Sequence, residues 1–440
     1  LDDSIMNQQS QPSDDAAGAQ AGGWRELVSA PYGLRLTVVS AGIALHAFNE
    51  IAIAPVIPMA LDALQAPWLL PFVYASFFLS VIAGGLTAAP LRRRLGARRG
   101  LALAGGIYLA AVVLQSLTPS AGLLLAGRAL QGLSDGWIVA LCYSLIADLF
   151  PPRQVPRVFS VEAILWAVAA LLGPLAGGLT AEYVHWRAAL AVSLPFIVIL
   201  YSVLPIALPR GAEPKPAPPA GQPEHAPLRR RQLLPPGLFG VRSTLGRGTW
   251  MLFLMTAAQS VSAVFMAYAV THVFSLSPAA AGFVVVTLAL TWSLVALPVA
   301  GVRRAGSKAL TVRIGPFFQV VGCLLIAAGF YLQMLPLVIA GQVMNGTAFG
   351  LVYAIASQAI IEDATPEHRM ATGSLLPSVS TSGGVFGSTI IGGLASAAGV
   401  VGQLAQPGPH AGVVALWGTA SVLALLAAFA AQGIRPKAAQ

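Results

Sequence analysis

The chain has 440 residues, of which 56% are apolar and only 9% charged, and its mean hydropathy is +0.76. Soluble domains carry about 25% charged residues, so this composition argues against a soluble enzyme and for one body embedded in a membrane. The formal charge of +9 does not indicate nucleic acid, because the basic residues fall in short gaps between apolar runs rather than on one face.

Residues 1–34 form an N-terminal tail, and its stretch 7–24, rich in Gln, Ser, Asp, Ala and Gly, reads as disordered. Asp2, Asp3, Asp14 and Asp15 carry the wrong sign for the basic start of a signal peptide. A bilayer-spanning helix needs about 20 mostly apolar residues. Twelve such runs follow, at 36–60, 68–90, 101–118, 121–148, 159–181, 187–208, 249–274, 279–301, 311–333, 335–360, 371–397 and 411–433. They are continuously apolar rather than alternating, which predicts helices and not a barrel. The fold class expected is an all-α integral membrane protein of twelve transmembrane helices in two pseudo-symmetric six-helix bundles, at 35–208 and 248–433. Between them lies a proline-rich linker, 209–247, stiff and unpacked, and a short tail, 434–440, ends the chain.

Of the 25 lysines and arginines, 23 lie in alternate gaps or in the tails. The second gap holds Arg92, Arg93, Arg94, Arg98 and Arg99, the fourth holds Arg153 and Arg157, and the linker holds seven more. Arg303, Arg304, Lys308 and Arg313 fill the eighth gap, and Arg369 stands in the tenth. This bias predicts that both termini and the linker are cytoplasmic, in a multi-pass protein of the inner (plasma) membrane. Two arginines break the pattern. Arg187 stands near Glu182 and is expected to pair with it locally. Arg128 lies inside the fourth run. Cys142 and Cys323 also lie within apolar runs and read as packed thiols.

The halves repeat. Gly127-Arg-Ala-Leu-Gln131-Gly132-Leu-Ser-Asp-Gly136 is echoed by Gly341-Gln-Val-Met-Asn345-Gly346-Thr-Ala-Phe-Gly350, and Asp148, Pro151, Gly177 and Gly178 are echoed by Asp363, Pro366, Gly392 and Gly393. Parallel six-helix halves are a transporter architecture, with the substrate site near the midplane between them. The small-xxx-small pairs allow close backbone approach.

Three motifs make the chain resemble the major facilitator superfamily, over roughly residues 35–433. Arg128-Ala-Leu-Gln131-Gly132 matches the family's fourth-span motif. Ala169-Ala-Leu-Leu-Gly173-Pro174-Leu-Ala-Gly177-Gly178 matches the fifth-span antiporter motif except for its first glycine. Ala89-Pro-Leu91-Arg-Arg93-Arg94-Leu-Gly96-Ala-Arg98 follows the family's loop motif, with Arg93 where the family has an aspartate. Asp148 or Glu162 are candidates to pair these arginines instead. The antiporter motif implies the drug:proton antiporter branch. Asn49-Glu50 followed by an apolar stretch to Pro58 also resembles the first span of such proteins, with Glu50 in the place of the acid.

Ionisable residues inside a membrane are costly, about 2.5–3.5 kcal/mol at the helix centre, and mark function by default. Glu50, Arg128 and Asp135 are therefore the proton-coupling candidates. Glu50 is expected to carry the proton or to pair with Arg128, and Asp135 to be a proton or substrate site or a fixed counter-ion. Arg128 is always charged and needs an acid. His46 and Asn49 in the first run, Gln131 and Tyr143 in the fourth, and Gln259, Tyr268, Trp292, Gln319, Asn345 and Tyr353 in the second half are candidates for the substrate cavity. Glu162 reads as a gate or loop ion pair. No metal site and no cofactor are expected beyond protons as the coupling ion. There is no phosphate-gripping G-x-x-x-x-G-K-[ST] loop to suggest ATP drive.

The function expected is proton-coupled export of amphipathic or hydrophobic small molecules by alternating access, from a monomer in the lipid bilayer. Uptake symport of a metabolite and lipid transport are the alternatives. A membrane enzyme would need a catalytic cluster at one membrane face, and the sequence offers none.

Overall fold

The computed structural model describes residues 24–151, 154–208, 235–299, 301–302, 304–365, 368–397, 399–400 and 411–436. The expected disordered tail, most of the proline-rich linker, Arg153, Arg303 and Lys437 lie outside the described residues. Every regular element among those described is a helix.

Among the described residues nine helices are long and apolar enough to cross a membrane, or ten if the pair Tyr32–Ala52 and Val56–Ala63, bent by 57°, is one span. One of the nine, Leu70–Ser116, holds the second and third predicted spans as one element, broken only where Gly96 takes φ 78, ψ 167, a region open to glycine. The sixth span is also less simple than expected: a short helix, Trp186–Ala189, precedes Leu194–Ala207. Arg369–Ala397, the eleventh span, falls short on apolarity because serines, threonines and glycines dilute it. With Leu70–Ser116 taken as two spans and Arg369–Ala397 as one, the described residues accommodate the twelve expected. In a bilayer each must close its own backbone hydrogen bonds, which a helix does.

The described parts of the loops tighten the joints. Ser120 accepts a hydrogen bond from the Leu123 amide and so caps Ala121–Leu149, and Ser243 does the same for Thr244–Phe274 through Gly246. In the loop motif, Asp148 pairs with Arg92, while Arg93 and Arg94 are exposed. Arg98 donates to the Leu208 carbonyl at 3.3 Å. Of the two acids expected to pair these arginines, Asp148 takes Arg92 and not Arg93, and Glu162 accepts from Ser40 instead. In the second half Asp363, the repeat partner of Asp148, instead accepts from the Leu245 amide at 2.7 Å.

The buried side chains divide unevenly. One cluster draws on both halves, joining Ile57, Leu61, Val73 and Trp186 to Phe265, Val284, Phe330 and Trp417. The cluster around Leu45, Tyr108 and Leu145 belongs to the first half alone, and that around Met255, Val352 and Ile360 to the second half alone. The halves are therefore joined at the end away from the linker, and among the described residues no buried apolar cluster joins them towards the linker end. At the sealed end the fifth span (Val155–Tyr183) meets the eighth (Pro278–Val299) backbone to backbone. A Cβ on Gly178 would stand 2.7 Å from the Pro278 carbonyl oxygen, and one on Gly282 would stand 2.8 Å from that of Pro174. Two polar contacts also cross the seam. Glu182 accepts from the Ala279 amide at 3.1 Å, capping the eighth span, and Asp62 lies 3.3 Å from His272.

The expected Glu182–Arg187 pair is thus not formed. Glu182 turns to the other half, where free helix amides attract a carboxylate, and Arg187 donates to the Thr118 carbonyl at 2.7 Å and covers the Trp186 ring at 4.2 Å. Gly178→Val is expected to prevent the seal, since the contact at 2.7 Å is with backbone that cannot turn aside. Distances between spin labels at 179 and 280 should lengthen in the variant and stay short in the wild type.

Candidate functional site

The site grows from the fourth span, Ala121–Leu149. Gly132 and Gly136 let it touch the backbone of the second span at Phe77 and Val81, where a side chain would clash. That approach places the Phe77 ring under Arg128, whose guanidinium carbon is 4.0 Å from the ring centroid. Arg128 is 1% exposed and donates to the Gln131 side-chain oxygen at 2.7 Å. The same oxygen accepts from Gln115 at 3.0 Å, and the Gln131 amide donates to Asn49 at 3.0 Å. One glutamine thereby ties the first, third and fourth spans around a buried cation.

The acids are arranged differently from expectation. Asp135, fully buried, does not pair with Arg128 but with His46, Oδ2 to Nδ1 at 2.9 Å. The other nitrogen of the same ring, Nε2, lies 3.6 Å from Glu50 Oε2. His46 thus bridges the two carboxyls, and the edge of its ring system meets Trp166 with centroids 5.7 Å apart. Glu50 keeps a third of its side chain uncovered, whereas the other oxygen of Asp135, Oδ1, is buried with no hydrogen-bond partner. The structure brings Glu50, His46, Asn49, Gln131, Arg128 and Asp135 together, with His46 at the centre rather than as a lining residue. Imidazole is suited to that place, because one ring nitrogen accepts while the other donates.

The second-half candidates are scattered. Tyr268 is buried at the sealed end, its ring 4.0 Å from that of His272. Gln319 is buried and donates to the Met255 carbonyl at 2.9 Å, and Asn345 is buried beside Cys323. Gln259 is half-buried, with its side-chain oxygen unpartnered. Trp292 and Tyr353 stay together, centroids 5.5 Å apart, with Phe349 against the same indole at 5.1 Å. Tyr143, in the first half, stacks on Phe159. Of the antiporter-motif residues, Gly173 and Gly177 meet Ala52 of the first span, and Pro174 and Gly178 meet the eighth. Among the described residues no group of three or more His, Cys, Asp or Glu side chains is arranged to hold a metal ion.

The geometry has known counterparts. A model of the major facilitator superfamily matches residues 39–268, just over half of the chain. The probable multidrug-efflux transporter Rv1634 of Mycobacterium tuberculosis is 28% identical over 275 residues, covering 62% of this chain and 54% of its own length. The multidrug efflux pump LfrA of Mycolicibacterium smegmatis is 28% identical over 185 residues, 42% of this chain and 37% of that protein. The chain thus spans about half the length of these curated relatives, or less. Among solved structures, a bacterial homologue of the human lysosomal transporter Spinster, in an inward-facing and unoccupied conformation, superposes with a TM-score of 0.68 at 15% identity, over 93% of this chain and all of that one. The peptide-transporter-family protein PepTSo gives 0.66 at 12% identity, over 91% and 98%. At these identities the likeness is one of fold.

Gln131→Leu should be the more damaging of two comparable changes. It strands the Arg128 guanidinium and the Asn49 side-chain oxygen together, at about 1–3 kcal/mol for each buried group left unpaired, while Gln115 keeps its bond to the Ala111 carbonyl. Gln115→Leu strands nothing charged. The melting temperature in detergent is expected to fall by several degrees further for the first variant than for the second.

Proposed function

Since the chain belongs to the major facilitator superfamily, a family of membrane transporters, we propose that it exports amphipathic or hydrophobic small molecules in exchange for protons. The observation that carries this reading is the His46 imidazole held between Asp135 and Glu50, at 2.9 and 3.6 Å. A proton arriving at the uncovered Glu50 carboxyl has a neighbour that can take it and a buried acid that stabilises the imidazolium so formed. The multidrug-efflux relatives and the near-complete antiporter motif support export over uptake.

The cycle proposed is alternating access in a monomer of the plasma membrane, with the termini and linker on the cytoplasmic side. In that orientation the present conformation faces inward. Cargo enters between the halves from the cytoplasm, and its binding favours loss of the proton from the Glu50–His46–Asp135 group. The seal at Gly178, Gly282, Glu182 and Asp62 then parts, cargo leaves, and a proton from outside resets the group. Arg128 stays as fixed charge, lowering the cost of the acids without trading its proton. One pH unit supplies about 1.36 kcal/mol per proton, and 100 mV adds about 2.3 kcal/mol per charge, so one proton drives modest accumulation. Trp292 and Tyr353 offer the cargo an apolar aromatic surface on the half poorer in charge.

The test uses the purified chain in proteoliposomes, with ethidium as cargo and a pH-sensitive dye inside. Ethidium movement in one direction should drive proton movement in the other. Glu50→Gln is expected to abolish the proton signal while ethidium exchange at equal concentrations continues. Proton movement that survives Glu50→Gln unchanged would overturn the assignment, and ethidium movement without any proton signal in the wild type would overturn the coupling.

A further inference from the structure

Four charged side chains are deeply buried among the described residues: Arg128, Asp135, Glu162 and Lys308. Three have a polar partner suited to their charge, namely Gln131, His46 and Gln358. Glu162 is the exception. It is 2% exposed, its Oε1 accepts one hydrogen bond from Ser40 at 2.7 Å, and its Oε2 is buried with no partner. Among the described residues the titratable groups near it are Cys142 and Tyr143 of the fourth span, and neither carries a positive charge. An ionised carboxylate has room for about four hydrogen bonds and is costly to bury with one. The neutral acid, with its proton on Oε2, fits the site.

The position is as telling as the burial. Ser40 precedes His46 by six residues on the first span, about 9 Å along the axis. Glu162 precedes Trp166 by one turn on the fifth, and the Trp166 ring meets His46. The two spans face each other along one seam, with Gly173 and Gly177 against Ala52 farther on. Glu162 therefore lies one step from the His46 group towards the linker end, where no buried apolar cluster among the described residues joins the halves.

We propose that Glu162 is a second proton-carrying residue, relaying protons between the His46–Asp135–Glu50 group and water at the linker end. This rests on the proton-coupled reading above. In the step proposed, small motions of the first span against the fifth admit water to Oε2. The O–H bond of the acid breaks, the proton passes to that water, and a carboxylate remains. The carboxylate then takes a proton through water from the His46 imidazolium, whose N–H bond breaks to leave neutral imidazole. The net change is one proton moved from His46 to the linker side, with Glu162 restored.

Two measurements on the full chain test this. Infrared spectra at neutral pH should show a protonated-carboxyl C=O stretch that Glu162→Gln removes and that Ser40→Ala shifts without removing. Ethidium-driven proton movement in proteoliposomes should be slowed several-fold by Glu162→Gln, and Ser40→Ala should alter its dependence on linker-side pH. Ethidium exchange without a proton gradient should stay unchanged, which shows that the variant folds. A Glu162→Gln spectrum identical to the wild type overturns the proposal, and so does loss of the band with an unaltered proton rate. If the wild type moves no protons at all, the coupling reading fails and the relay falls with it, whereas proton movement sensitive to Glu50→Gln but not to Glu162→Gln overturns the relay alone.

Discussion

A guanidinium buried inside a membrane-embedded bundle constrains everything near it. Arg128 cannot shed its charge, and no water stands ready in the hydrocarbon to solvate it. The first half answers with a ring beneath the cation, a glutamine oxygen in front of it, and two glycines on the same helix that let the ring come close enough. The glutamine in turn fixes Gln115 and Asn49. Three spans are thereby held in register, and the neighbouring residues of the first, His46 and Glu50, are presented to Asp135 as a consequence. The arginine leans on neutral groups, the Gln131 oxygen and the Phe77 ring, and claims neither acid.

The halves share their topology but not their chemistry. In the second half Asn345 stands in the repeat position of Gln131, yet no arginine accompanies it, and its neighbours are Cys323 and close-packed backbone. The aromatic group of Trp292, Phe349 and Tyr353 lies on this side. The cluster of buried ionisable groups around His46 thus belongs to the first half, and the aromatic group to the second.

Much of this was legible in the sequence. The length and apolarity of the runs, the alternation of basic gaps and the repeat of Gly132/Gly136 in Gly346/Gly350 read out the twelve spans and the two halves. The burial of Arg128 and Asp135 followed from their depth within those runs, whereas Glu50 at similar depth is only partly covered. Partner choice did not follow. His46 and Glu50 are one helical turn apart, which put them on one face, but only the crossing of the first and fourth spans brings Asp135 to the other side of the imidazole. Glu182 and Arg187 are close in sequence, and proximity suggested a pair. The helix ends between them, and a set of free amides on the other half is the better partner for the acid. Glu162 has Arg157 five residues away, a spacing that places the two on different faces of a helix, and packing against Ser40 decided its surroundings.

The seal between the halves has a kinetic consequence. Where Gly178 meets Pro278 and Gly282 meets Pro174, the surfaces are main chain against main chain, with no side chains threaded through one another. Parting them demands no reshuffling of rotamers, and little roughness opposes the slide. Opening must also separate two discrete polar contacts, Glu182 with the start of the eighth span and Asp62 with His272, and the apolar cluster that both halves share. The glycine crossings thus keep the seam smooth, while its strength is carried by the shared apolar side chains and the two polar contacts beside them.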